Sequence, residues 1–105
     1  MDIDKGIALL RGFVTIDKNI EAQTMKVFLA VAHKGQCVAI DLERKLGLTN
    51  ATVSRNITYW SDAIQKKTGE PGPGYIERRP NPRDRRYKLL RLTEDGQAFH
   101  RSLMA

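Results

Sequence analysis

Few folds accommodate the stretch DLERKLGLTNATVSRNITYW, Asp41 to Trp60. Leu42 and Leu46 make one apolar edge of a short helix that Gly47-Leu48 stops, and Thr49 then offers its hydroxyl as the N-cap of a second helix. In that helix Val53, Ile57, Trp60 and Ile64 recur at spacings of four, three and four, so all four are expected to point to the core. The opposite side carries Ala51, Arg55, Thr58 and Asp62, with Thr52, Ser54 and Tyr59 on its flanks. A short helix, a glycine turn and a helix with a small, polar outer face form a helix-turn-helix.

The next informative stretch is RRPNPRDRRYKLL, Arg78 to Leu90. Net charge is +6, and the segment from Arg78 to Arg91 supplies it, with seven bases against one acid, Asp84. The rest of the chain is balanced, eleven bases against eleven acids. Basic residues collected in one place suit a polyanion, with nucleic acid ahead of an anionic membrane. Tyr75 to Arg79 reads as a strand and Arg86 to Leu92 as a second, with Leu90 and Leu92 on one face. Pro80 and Pro82 stiffen the turn between them and supply no strand donors. Thr93 then caps a last helix whose first turn holds Glu94 and Asp95 and whose inner face holds Phe99 and Leu103. A helix-turn-helix followed by a basic hairpin is a winged helix. The expected fold class is therefore mainly α with a small β-hairpin, in one domain over 1–105, with the helix-turn-helix at 40–64 and the wing at 75–92.

Upstream, Ile3, Ile7, Leu10 and Val14 repeat at helical spacing, followed by a break at Asp17-Lys18-Asn19. This first helix, within 1–18, either packs on the protein's own core or makes a homodimer through 3–14. A second helix is expected over 20–33, carrying Met25, Phe28, Leu29 and Ala32 with Val27 and Val31 beside them, and Gly35 suits its C-cap. Gln36 to Ala39 reads as a short strand. Gln65 to Gly74, QKKTGEPGPG, is a loop. It lacks GxxxxGK[ST], so it serves as a connector or as an extra contact to DNA or protein, and not as a nucleotide site.

Several classes fall away. No apolar run approaches the ~18 residues of a membrane span, and Asp2 and Asp4 stand where a signal peptide needs positive charge. Cys37 is alone, so no intrachain disulfide forms, which fits a cytoplasmic setting. His33, near a helix C-terminus, and His100, expected on the surface, make with Cys37 a set too scattered for a recognisable metal site. No catalytic triad, paired carboxylates or hydride-transfer fold is present, so neither an enzyme nor a cofactor is expected. Cys37 itself reads as a buried thiol, not a redox sensor.

DLERKLGLTNATVSRNI and YIERRPNPRDRRYKLLRLTEDG together resemble the MarR-type winged-helix regulators of bacteria and archaea. The shared pieces, in order, are a Leu-Gly-Leu helix end, a Thr-Val-Ser-Arg helix, an Ile-Glu-Arg strand, an Asp-x-Arg wing and a Leu-Thr-x-x-Gly helix start. The resemblance implies a double-stranded DNA reader, and a repressor, with the helix from Thr49 in the major groove and the wing in a flanking minor groove. Carried over, Thr52, Ser54 and Arg55 touch bases or phosphates, Arg86 enters the minor groove, and Asp84 holds the wing arginines. Ala51 and the Thr52 methyl suit thymine methyls, and Asn50 suits adenine. The expected interface is Thr49, Asn50, Ala51, Thr52, Ser54, Arg55, Tyr59, Arg83, Asp84, Arg85 and Arg86; Tyr59 and Tyr87 meet phosphates or bases, or are partly buried. Two features depart from the family: nine residues follow Gly96, implying a C-terminally reduced member, and roughly ten extra residues separate the recognition helix from the wing. The resemblance places the protein in a bacterial or archaeal cytoplasm, or in that of a cell hosting one of their viruses. Two other readings compete: a winged helix that binds an acidic protein partner, and a replication or recombination factor.

Overall fold

Trp60 organises the interior. In the computed structural model, which describes residues 2–105, it is fully buried at the end of a helix spanning Asn50–Trp60. The chain runs α1 (Ile3–Val14), α2 (Ala22–Lys34), β1 (Gln36–Cys37), α3 (Ala39–Leu46), α4 (Asn50–Trp60), β2 (Ile76–Arg79), β3 (Leu89–Leu92) and α5 (Glu94–Met104). Val53, Ile57 and Trp60 of α4 meet Val27, Phe28 and Val31 of α2, with Leu42 of α3 and Ile76, Leu90 and Leu92 of the sheet completing the core. Around Trp60 the rings of Phe13, Phe28, Tyr59, Tyr75 and Phe99 lie at centroid distances of 4.9–6.2 Å, in tilted, edge-on and stacked arrangements.

The turn between α3 and α4 follows the sequence signals. Gly47 has φ +66° and ψ +36°, the left-handed conformation a Cβ disfavours, and it ends α3 there. Thr49 caps α4 by accepting from the Thr52 amide. At the other end of the periodic stripe the expectation fails: Ile64 is not core but 64% exposed. The helix stops four residues earlier because Ser61 turns extended, with its hydroxyl donating to the Thr58 carbonyl. Ile64 instead pairs across an isolated β-bridge with Pro71, closing the loop at 65–74 into an ordered connector.

The wing sheet has three strands, order β1-β3-β2, all antiparallel, so Gln36 and Cys37 add a strand beside the expected hairpin. Pairing in the hairpin ends at Arg79 opposite Leu89. The second strand thus begins three residues later than expected, and residues 80–88 form the tip.

Of the two options for α1, packing its outer stripe on the core is excluded. Ile3, Ile7, Leu10 and Val14 are all exposed, Ile3 at 81%, while Phe13 on another face of the helix is buried. Gly12 lets α1 lie against α5, since a Cβ there would collide with the Leu103 side chain. The helix is therefore anchored by one face and bare on another. No helix among the described residues is long and apolar enough to cross a membrane.

Candidate nucleic-acid interface

The outer side of α4 is built on its cap. Thr49 Oγ1 donates to Thr52 Oγ1 at 2.9 Å, and that oxygen also accepts from Arg55 Nη2 at 3.3 Å. Residues spaced by three share one side of a helix, so Thr49, Thr52 and Arg55 form a hydrogen-bonded line along it, with exposed Ala51 and Ser54 on the solvent side of that line. Arg55 spends only one nitrogen in this line and keeps the rest of its guanidinium for a partner. Asn50 is turned aside, its amide 3.4 Å from Glu43 of α3. Tyr59 is half-buried. Its hydroxyl donates to Asp17 at 3.1 Å, and burial, with Asp17 beside it, pushes its pKa up to about 12. Both were expected at the interface, and in this structure their polar groups serve internal contacts.

The wing tip is ordered by its acceptors. The Asn81 side chain accepts from the Arg83 amide at 3.0 Å and Asp84 from the Arg86 amide at 3.1 Å, both turns in which a short side chain mimics a backbone carbonyl. Asp84 also grips the Arg86 guanidinium through two bonds of 3.1 and 3.0 Å, and Arg86 lies over the Tyr87 ring at 5.5 Å. The Arg86 side-chain bonds hold the Asp84 carboxyl below its usual range, and the same pair holds Arg86 still more firmly protonated. Arg83, Arg85 and Lys88 have no carboxylate partner among the described residues. They are the unneutralised charge of the tip.

Not every base of the cluster belongs to this surface. Arg91 bonds Glu77 directly opposite on β2 at 2.6 Å, and Arg79 lies 3.9 Å from the same oxygen. That carboxylate offsets part of the wing's charge within the sheet itself.

Arg78 was not among the expected site residues, yet it joins the two halves of the surface. Its Nη2 donates to the Ser54 carbonyl at 3.3 Å and to Thr58 Oγ1 at 3.1 Å, tying β2 to the outer side of α4. Strand parity carried a signal: Ile76 is buried, so Arg78, two residues on, shares its face of the sheet. Reading that signal requires knowing that α4 packs against this face.

No family model matches the chain, and no curated protein matches it; solved structures do. A cysteine-to-serine mutant of MarR from E. coli complexed with operator DNA superposes with a TM-score of 0.65 at 25% identity, covering 95% of this chain and 63% of that one. The chain shares the winged-helix fold of MarR. Rv1404 from Mycobacterium tuberculosis matches with a TM-score of 0.69 at 20% identity, covering 94% of this chain and 61% of its own. The PcaV transcriptional regulator from Streptomyces coelicolor, in complex with its natural ligand, matches at 0.62 and 21%, covering 88% and 59%. The chain thus spans about three-fifths of the length of these proteins.

Among the described residues no group of three or more His, Cys, Asp and Glu side chains could hold a metal ion. Cys37 is buried, and burial pushes its thiol up to about 11, with Asp41 adding to the shift and Lys34 opposing it. Because the thiolate is the reactive form, labelling of the native protein by a thiol reagent at about pH 8 is expected to be slow and to accelerate toward the raised pKa. Fast labelling of the folded protein near neutral pH would contradict this. Cys37→Ala is expected to leave the fold intact, since a buried neutral thiol acts as a small hydrophobe.

Proposed function

We propose that the protein is a sequence-specific double-stranded DNA-binding transcription regulator, acting as a repressor by occluding a promoter, and not an enzyme. The carrying observation is the continuity of the surface. The Thr49–Thr52–Arg55 line on α4 is bridged by Arg78 to a wing whose tip presents Arg83, Arg85 and Arg86. A helix of this shape fits the major groove, and a narrow A·T-rich minor groove attracts an inserted arginine. The match to a MarR bound to its operator supports the same reading.

The second partner is a copy of the same chain. Ile3, Ile7, Leu10 and Val14 form an exposed apolar stripe on α1, with exposed Met104 on α5, the helix against which α1 packs. Single winged helices read few base pairs, and pairing two of them doubles the site.

Selection of bound sequences from a random duplex pool at near-physiological salt tests the proposal. The expected outcome is a palindrome with half-sites about one helical turn apart. Each protomer neutralising ~3 phosphates gives a log-log salt slope near −5 for a dimer and about half that for a monomer. An Ile7→Asp/Leu10→Asp variant is expected to sediment as a monomer and to show the halved slope. If nothing binds, the interaction with an acidic protein partner takes the place of this reading; binding without enrichment that vanishes with salt reduces the wing to a general polyanion surface.

A further inference from the structure

Asn56 is anomalous on its own helix. It lies on the inward side of α4 among Val53, Ile57 and Trp60 and is only 8% exposed, where a leucine would pack without needing a partner. An amide removed from water is costly unless bonded. Both of its groups are bonded: Oδ1 accepts from the Thr24 hydroxyl of α2 at 2.5 Å, and Nδ2 donates to the Thr52 carbonyl at 2.8 Å. Thr24, itself buried, also accepts at its backbone carbonyl from the Trp60 indole N–H at 2.8 Å. One residue of α2 therefore holds two residues of α4 that lie a turn apart on the same side.

Apolar contacts leave helix sliding and rotation soft, because dispersion is shallow and has no direction. Hydrogen bonds weaken steeply with distance and angle. Two of them one turn apart fix both the advance of α4 along its axis and its rotation about it. The outer side of that same stretch carries Arg55, with Thr52, whose carbonyl Asn56 holds, on its flank, and reading a base edge requires side chains placed within about 0.5 Å and 10–20°. Phosphate contacts from the long arginines of the wing tolerate more.

We propose that Thr24 and Asn56 are positioning residues that set the seating of α4 and thereby the protein's discrimination between DNA sequences. This rests on the DNA-reading function proposed above. Buried polar pairs that trade stability for a unique arrangement have precedent, and replacing both partners by apolar groups of similar shape is close to neutral for folding.

The test is the double variant Thr24→Val/Asn56→Leu, assayed on the sites the wild type selects. Expected are an unfolding midpoint near that of the wild type, an unchanged salt slope, and a specific-to-non-specific affinity ratio lower by about tenfold or more, the effect of one misaligned base-edge contact. Thr24→Ser, which keeps the hydroxyl, is expected to retain the wild-type ratio. Trp60→Phe, which deletes the indole donor and keeps an aromatic ring, is expected to lower it. A folded double variant with undiminished discrimination overturns the inference and leaves the DNA-reading function intact. A double variant that fails to fold, with Trp60→Phe discriminating like the wild type, also overturns it, because the pair then serves stability alone. A wild type that binds duplex without preference removes the reading beneath both.

Discussion

A variant carrying Arg55→Ala and Arg86→Ala is expected to bind its selected duplex about a hundredfold more weakly than the wild type, with an unchanged unfolding midpoint. A good arginine contact to a base or groove is worth about tenfold or more. The two residues stand on separate elements, α4 and the wing tip, so their losses should nearly add. Both are exposed, so folding should not suffer. The singles should also separate the roles. Arg86 must exchange its grip on Asp84 for DNA, and its loss should flatten the salt dependence. Arg55→Ala should instead relax sequence preference where α4 meets the groove. Titrations with selected and scrambled duplexes decide it. A double variant within about threefold of wild type means that DNA, if bound, is bound elsewhere.

Trp60→Ala is expected to cost about 3–5 kcal/mol of folding stability, in line with large-to-small changes at buried aromatics. Domains of this size have only about 5–15 kcal/mol in total, so a large part of the native population would be at risk at 37 °C. The loss has two sources: the cavity left among Phe13, Phe28, Tyr75 and Phe99, and the Thr24 carbonyl deprived of its indole donor. Equilibrium denaturation measures it. A cost under about 1 kcal/mol would mean that the aromatic cluster can close over the gap.

The helix-turn-helix was legible because each of its signals is local. Gly47, Thr49 and the Val53–Ile57–Trp60 spacing act within a few residues of themselves, and each behaves as its chemistry dictates. Ile64 failed because periodicity describes a helix only while the helix lasts. Ser61, prone to side-chain bonds with nearby backbone, ends the helix, and the apolar spacing runs on past it to Ile64. In α1 the helical spacing belongs to Ile3, Ile7, Leu10 and Val14, whereas the burial of Phe13 depends on contacts with α2, α4 and α5. The short strand at Gln36 was legible, but its pairing with β3, the Arg78 bridge and the Thr24–Asn56 bond join residues 20 to 55 positions apart, and no local pattern names such partners. At the candidate site, residue types were readable and their commitments were not: Tyr59 is held by Asp17, 42 positions away.

The buried indole also makes the protein its own optical sensor. Trp60 is the chain's sole tryptophan, and it stands on the inner side of the helix whose outer side carries Arg55. A bound duplex cannot stack on it or touch it directly. Its emission therefore reports how α4 is seated against α2, and a spectral change on adding DNA would be the signature of a helix reseated from within.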